Sequence, residues 1–107
     1  KAYRQAYNAG TLGTDANGTI NWANGTVQYF SSLGSGDHTI SFTSWAEGGP
    51  YMLECINGAG GITSLTLSGV TYDMVTPTVA TGGTKRNSFA LFYISSSARV
   101  KAHTKTP

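Results

Sequence analysis

Two histidines, His38 and His103, one cysteine, Cys55, and five carboxylates are the groups of this chain that could move a proton or attack a substrate. The carboxylates Asp15, Asp37, Glu47, Glu54 and Asp73 are scattered along the chain. A glycosidase needs two of them facing each other across the scissile bond, and no local spacing supplies such a pair. No nucleophile elbow accompanies either histidine, so a serine or cysteine nucleophile has no local support. Cys55 is alone, which rules out an intramolecular disulfide and a cysteine zinc cluster. Flanked by Glu54 and Ile56, it lacks the electropositive setting of a reactive thiolate and reads as a small buried hydrophobe. Gly82-Gly83-Thr84-Lys85 has the letters of a phosphate loop without its upstream glycine spacing or its following helix. A hairpin turn is the expectation there. No calcium-loop pattern or histidine cluster is present, so the sequence predicts no enzyme, no metal and no cofactor.

Binding chemistry offers more. Asn17-Gly18-Thr19 and Asn24-Gly25-Thr26 match the N-glycosylation acceptor pattern, but the same letters make good β-turns, and they are read as turns. Trp22, Trp45, Tyr51 and Tyr72 could stack on sugar rings, since an aromatic face offers apolar area at low entropy cost. Trp45, Tyr51 and Tyr72 are the candidate ligand or receptor contacts, Trp45 foremost because it borders a turn. All seven basic residues lie at the ends, Lys1 and Arg4, then Lys85, Arg86, Arg99, Lys101 and Lys105, with the acids between them. A basic tail can bind nucleic acid, but no aromatic is interleaved here as single-strand binding wants. Arg99 and Lys101 read as the wet face of a last strand, and no nucleic-acid partner is expected. No apolar run approaches the ~20 residues of a membrane span and no signal peptide is visible, so no membrane insertion is expected. Beginning at Lys1 rather than Met, the chain reads as part of a longer polypeptide.

The elements that must position these residues are strands. A chain of 107 residues makes one domain with a modest core. Only 11% of residues are charged while 39% are hydrophobic, a balance that favours folding over disorder and leaves a surface prone to be covered by a partner. Residues 38–68 carry the clearest pattern. Ile40 and Phe42 alternate with Thr39, Ser41 and Thr43; Tyr51, Leu53 and Cys55 share a face; Leu65 and Leu67 alternate with Ser64, Thr66 and Ser68. That is the two-residue period of half-buried strands. Turn-forming runs at 46–50 and 57–61 separate them, and the segment reads as a β-meander.

Residues 1–19 are expected as an extended leading arm, because four glycine or asparagine breaks interrupt the helical spacing of Tyr3, Ala6 and Tyr7. Residues 20–107 form the domain. Short strands are expected at 20–22 and 27–30, and Val70, Tyr72 and Met74 continue the alternation. Pro77 confines any strand at 76–80 to an edge. Phe89-Ala90-Leu91-Phe92-Tyr93-Ile94 is apolar on both faces, as in a strand covered twice. Phe89, Leu91, Phe92, Tyr93 and Ile94 are therefore the candidate subunit interface. About eight short strands with frequent turns predict an all-β fold, an antiparallel, jelly-roll-like β-sandwich.

Within residues 22–102, Trp22-Ala23-Asn24-Gly25-Thr26-Val27, then Thr39-Ile40-Ser41-Phe42, Gly48-Gly49-Pro50-Tyr51-Met52-Leu53 and Gly60-Gly61-Ile62-Thr63 occur in an order that resembles modules of tailed-bacteriophage tail fibres and related virion proteins. Pro77-Thr78-Val79, Gly82-Gly83 and the aromatic run 89–93 resemble that family's proline-marked edge, glycine turn and final hairpin. The resemblance implies a non-enzymatic structural protein of the virion (tail fibre, spike or capsid decoration). It further implies a homotrimer, contacts with other virion proteins, and a host surface glycan as receptor. The alternative is a carbohydrate-binding module using exposed aromatics. A small hydrolase is the third reading and has no constellation of residues behind it.

Overall fold

The computed structural model describes residues 5–107; the leading positions of the expected arm, with Lys1, Tyr3 and Arg4, lie outside the described residues. The described chain is almost entirely strand and turn. In chain order it forms β1 (Tyr7–Leu12), β2 (Gly18–Asn21), a short 3-10 turn (Trp22–Asn24), β3 (Val27–Leu33), β4 (Asp37–Thr43) and β5 (Gly48–Asn57). Then follow β6 (Ser64–Leu67), β7 (Thr71–Tyr72), β8 (Arg86–Ile94) and β9 (Ser97–Lys105). The all-β expectation holds; the antiparallel jelly roll does not.

Successive strands from β1 to β6 alternate between two sheets, and each pairs in parallel with the strand two places along the chain. The larger sheet runs β1-β3-β5-β8-β9-β7 and the smaller β2-β4-β6. The first two thirds of the chain is thus a wound, solenoid-like stack. It is completed by β8, antiparallel to β5, and β9, antiparallel to β8, with β7 parallel to β9 at the edge. Parallel strands need a crossover connection, and here each crossover is itself a strand of the opposite sheet. The segment 38–68 is accordingly three strands, as its alternation demands, but not a meander: β4 and β6 are neighbours in one sheet while β5 lies in the other. Alternation fixes which side chains face inward and is silent on which strand lies alongside.

Both sheets turn their apolar faces to one core. Ile20, Ile40, Leu65 and Leu67 come from the small sheet, and Phe30, Leu53, Cys55, Phe89, Leu91 and Val100 from the large one. Residues 7–12, expected as part of a free arm, are the first strand of the large sheet, and Ala9 and Leu12 pack against the core. Residues 76–80 form no strand, and Val70, Tyr72, Met74 and Val79 lie against the core around an otherwise irregular segment.

Polar side chains brace the winding. Gln28, 1% exposed, donates through Nε2 to the main-chain oxygens of Asn21 and Gly25 at 2.7 and 2.8 Å. His38, equally buried, holds its two ring nitrogens 2.6 Å from the carbonyl oxygens of Ala16 and Gly34. Asn17, the first residue of one acceptor pattern, takes the Thr39 N–H at 3.0 Å and sits just before β2 rather than in a turn. Asn24-Gly25 does turn the chain. The turn at 57–61 meets the turn at 81–84 almost backbone to backbone. A Cβ on Gly83 would lie 2.0 Å from the Ala59 oxygen, and one on Gly61, whose φ is +75°, would lie 2.4 Å from the Thr81 oxygen. Only glycine fits such an approach.

Candidate functional site

The aromatic residues proposed as ligand contacts converge, but mainly on each other. Trp22, Phe42, Trp45, Tyr51 and Tyr93 form one cluster. Trp45 stacks on Tyr93 at 5.4 Å with planes 7° apart and meets Tyr51 edge-on at 5.0 Å. Such offset and edge contacts are the arrangements ring quadrupoles favour. Tyr51 is a core residue, 5% exposed. Its hydroxyl accepts from the Ala46 N–H at 2.8 Å and donates to the Ala46 carbonyl at 2.6 Å, which pins the loop carrying Trp45. Tyr51 is therefore a strut, not a platform. Trp45 and Tyr72 remain half-buried. Tyr72 lies on the edge strand β7, apart from the cluster, and burial pushes its phenol above the ordinary value.

The proposed interface strand divides by parity. Phe89 and Leu91, at 1% and 0% exposure, belong to the chain's own core; they are unavailable to a second subunit. Phe92 and Tyr93 are half-buried and Ile94 is exposed. Phe92 covers Gly49, where a Cβ would come within 2.7 Å of its ring, and Tyr93 is committed to Trp45.

Sequence reasoning missed the row beside it. Met52 projects outward between buried Tyr51 and Leu53, and Ala90 between buried Phe89 and Leu91. Register aligns Val27 with Met52, Met52 with Ala90, and Ala90 with Ala102. An apolar row thus crosses four adjacent strands on the outer face of the large sheet. Met52 stands up from it, flanked by two hollows. One, of 220 Å³, is lined by Val27, Tyr29 and Ser88 among others; a second, of 120 Å³, is lined by Ala90 and Ala102. The next row outward is polar: Tyr29, Glu54, Ser88 and Thr104. The signal was present in the letters, since Met52 and Ala90 occupy the positions between inward residues. The outer face of the small sheet differs, with Thr19 beside Ser41 and Thr39 beside Thr66.

Asp73, Glu47 and Glu54 lie in three separate places. Asp73 is gripped by Arg99, through both Nε and a terminal nitrogen, and by Lys101 at 2.5 Å. Hydrogen bonds from Arg99 and then Lys101 hold its carboxyl down at about 2. Glu47 accepts from the N–H groups of Ser95 and Ser96 at 3.0 and 3.2 Å, where the positive φ angles of both serines form the β8–β9 turn. Glu54 lies 3.6 Å from Arg86. His38 is braced in the core and His103 lies against Phe89 at 4.8 Å. Among the described residues, no three of the histidine, cysteine and acidic side chains gather as a metal site would require. Cys55 is fully buried, and burial, with the charge of Glu54 adding to it, pushes its thiol up to about 12.

Comparison with protein-family models, with curated proteins and with solved structures gives no match.

Proposed function

We propose that this chain is a non-enzymatic structural module of a phage-type virion, built to assemble with copies of itself through the outer face of its large sheet. The observation that carries this reading is the in-register apolar row Val27, Met52, Ala90 and Ala102, with Met52 standing 37% exposed between two hollows. An exposed apolar side chain beside two hollows is what a surface covered by another copy presents. The contrast with the hydroxyl-lined outer face of the small sheet gives the molecule one side for a partner and one for water.

The virion setting, the trimeric state and the contact with a host surface rest on the resemblance of residues 22–102 to tail-fibre modules. The wound stack, in place of a jelly roll, suits a rigid shaft or decoration element, because each parallel layer rests on the one before it. The competing reading, a carbohydrate-binding module, keeps Trp45 and Tyr72 as its half-exposed rings.

The test is size-exclusion chromatography with light scattering at micromolar concentration. A trimer is expected, and Met52→Lys together with Ala90→Glu is expected to convert it to a folded monomer. A monomeric parent chain would overturn the reading. So would a trimer that both substitutions leave intact, since the assembly face would then lie elsewhere.

A further inference from the structure

Five basic side chains are described, and three of them are matched to acids. Arg86 faces Glu54, while Arg99 and Lys101 share Asp73. The other two, Lys85 and Lys105, pair with no side-chain carboxylate among the described residues, and both line the same cleft of 390 Å³. Lys85 Nζ donates to the main-chain oxygen of Pro107 at 2.6 Å, and Lys105 Nζ to that of Thr78 at 3.0 Å. An ammonium carries three donor hydrogens, so each has two to offer beyond that oxygen.

The walls that hold these cations are fixed. On one side Asn57 Nδ2 donates to the oxygens of Ala80 and Gly82, both at 3.0 Å. Asn87 closes a two-way bond with the Ala80 backbone, and the Ile62 N–H reaches the Thr81 oxygen at 2.8 Å. On the other side the Thr106 N–H donates to the Arg86 oxygen at 3.0 Å, and the Arg86 N–H to Thr106 Oγ1 at 3.1 Å. Two like charges held on rigid walls around one space gain from an anion placed between them, and the preorganised walls lower the cost of binding it. The potential is already felt nearby. His103 has its proton affinity lowered, by burial first and then by the charge of Lys105.

We propose that this cleft, between the 79–82 loop and the end of β9, is an oxyanion site that takes a carboxylate, sulfate or phosphate group through Lys85 and Lys105. The proposal goes beyond the assembly reading and does not depend on it, because the cleft lies on the loop side of the sheet edge and shares none of the Val27, Met52, Ala90 and Ala102 row. The shared chemistry is a compact anion, whether a free ion or the charged group of an acidic sugar.

The experiment is an amide-resolved NMR titration of the whole chain with inorganic phosphate, sodium chloride compensating the ionic strength. Saturating shifts are expected at Gly82 and Thr106 with a dissociation constant in the millimolar range, roughly what two partly solvated ion pairs sustain. Lys85→Gln and Lys105→Gln are each expected to weaken binding about fivefold or more, Lys105→Arg to retain it, and Lys101→Gln, whose cation belongs to Asp73, to leave it unchanged. Galacturonate and galactose form the second arm. Saturation by the acid and not by the neutral sugar assigns the site to acidic glycans; saturation by phosphate alone assigns it to free phosphate. Shifts that grow linearly, that sodium chloride reproduces, or that survive both glutamine substitutions would overturn the proposal. Spectra of the variants that match the parent away from the cleft separate lost binding from lost fold.

Discussion

Replacing Asn87 by alanine tests the claim that two buried carboxamides, rather than a regular strand pairing, hold the 78–85 loop to the core. Asn87 is fully buried on β8. Its Oδ1 accepts the Ala80 N–H at 2.8 Å and lies 3.0 Å from His103 Nε2, while its Nδ2 donates to the Ala80 oxygen at 3.0 Å. In Asn87→Ala the Ala80 oxygen keeps its bond from Asn57, and the half-exposed His103 ring can turn to water. The Ala80 N–H is left without a partner. Stranding such a donor costs about 1–3 kcal/mol, and the other lost bonds add to this, so a loss of about 2–3 kcal/mol is expected. That is a large share of the roughly 5–15 kcal/mol by which a domain is stable. Asn57→Ala alone is expected to cost about 1 kcal/mol, because Asn87 still serves the Ala80 oxygen and the Gly82 oxygen keeps the Lys85 N–H at 3.3 Å. The double variant removes both donors to the Ala80 oxygen and is expected to exceed the sum of the singles by about 0.5–1 kcal/mol. Urea unfolding gives the three free energies, and hydrogen exchange at Ala80 and Ile62 reports whether the loop has come loose. If the double variant is additive and Ala80 stays protected from exchange, the clamp is refuted, and the loop is held instead by its main-chain bonds to Gly58 and Ile62 and by the packing of Val79.

Three further outcomes follow from the same geometry. Tyr51→Phe leaves the ring contacts in place but removes both hydrogen bonds to the exposed Ala46 main chain; a loss of about 1 kcal/mol is expected, with Trp45 fluorescence shifting toward that of a water-exposed indole. The Asp73 carboxyl is depressed from its ordinary 3.8 to about 2, so its contribution is complete above the unfolded value and is lost as pH falls from there through about 2. Unfolding midpoints of the parent and of Asp73→Asn should therefore converge over that acidic window, and a constant gap down to its foot would contradict the ion-pair assignment. Cys55, buried and with its thiol pushed up to about 12, should resist disulfide reagents at pH 8 in the folded protein and react in step with urea unfolding.

The letters of this chain determined where most of its strands lie and which of their residues point inward. Alternation at Ile40 and Phe42, at Tyr51, Leu53 and Cys55, and at Leu65 and Leu67 depends on the pleat alone, a local property of an extended chain. Cys55 as an inert buried thiol was legible for the same reason. Pairing was not. A strand with one apolar face can lie beside a neighbour running in either direction, so the wound parallel stack and the place of residues 7–12 in the large sheet emerge only when both sheets close over one core. Tyr51 was misjudged as a contact surface because sequence gives a ring's size and not its cover; the cluster that buries it gathers Trp22, Phe42, Trp45 and Tyr93 from distant parts of the chain. The apolar row of Val27, Met52, Ala90 and Ala102, and the cleft shared by Lys85 and Lys105, are likewise products of register and folding. Their members are up to 75 positions apart, from Val27 to Ala102, and what joins them is hydrogen bonding between strands and the path of a loop, neither of which is written in any local run of residues.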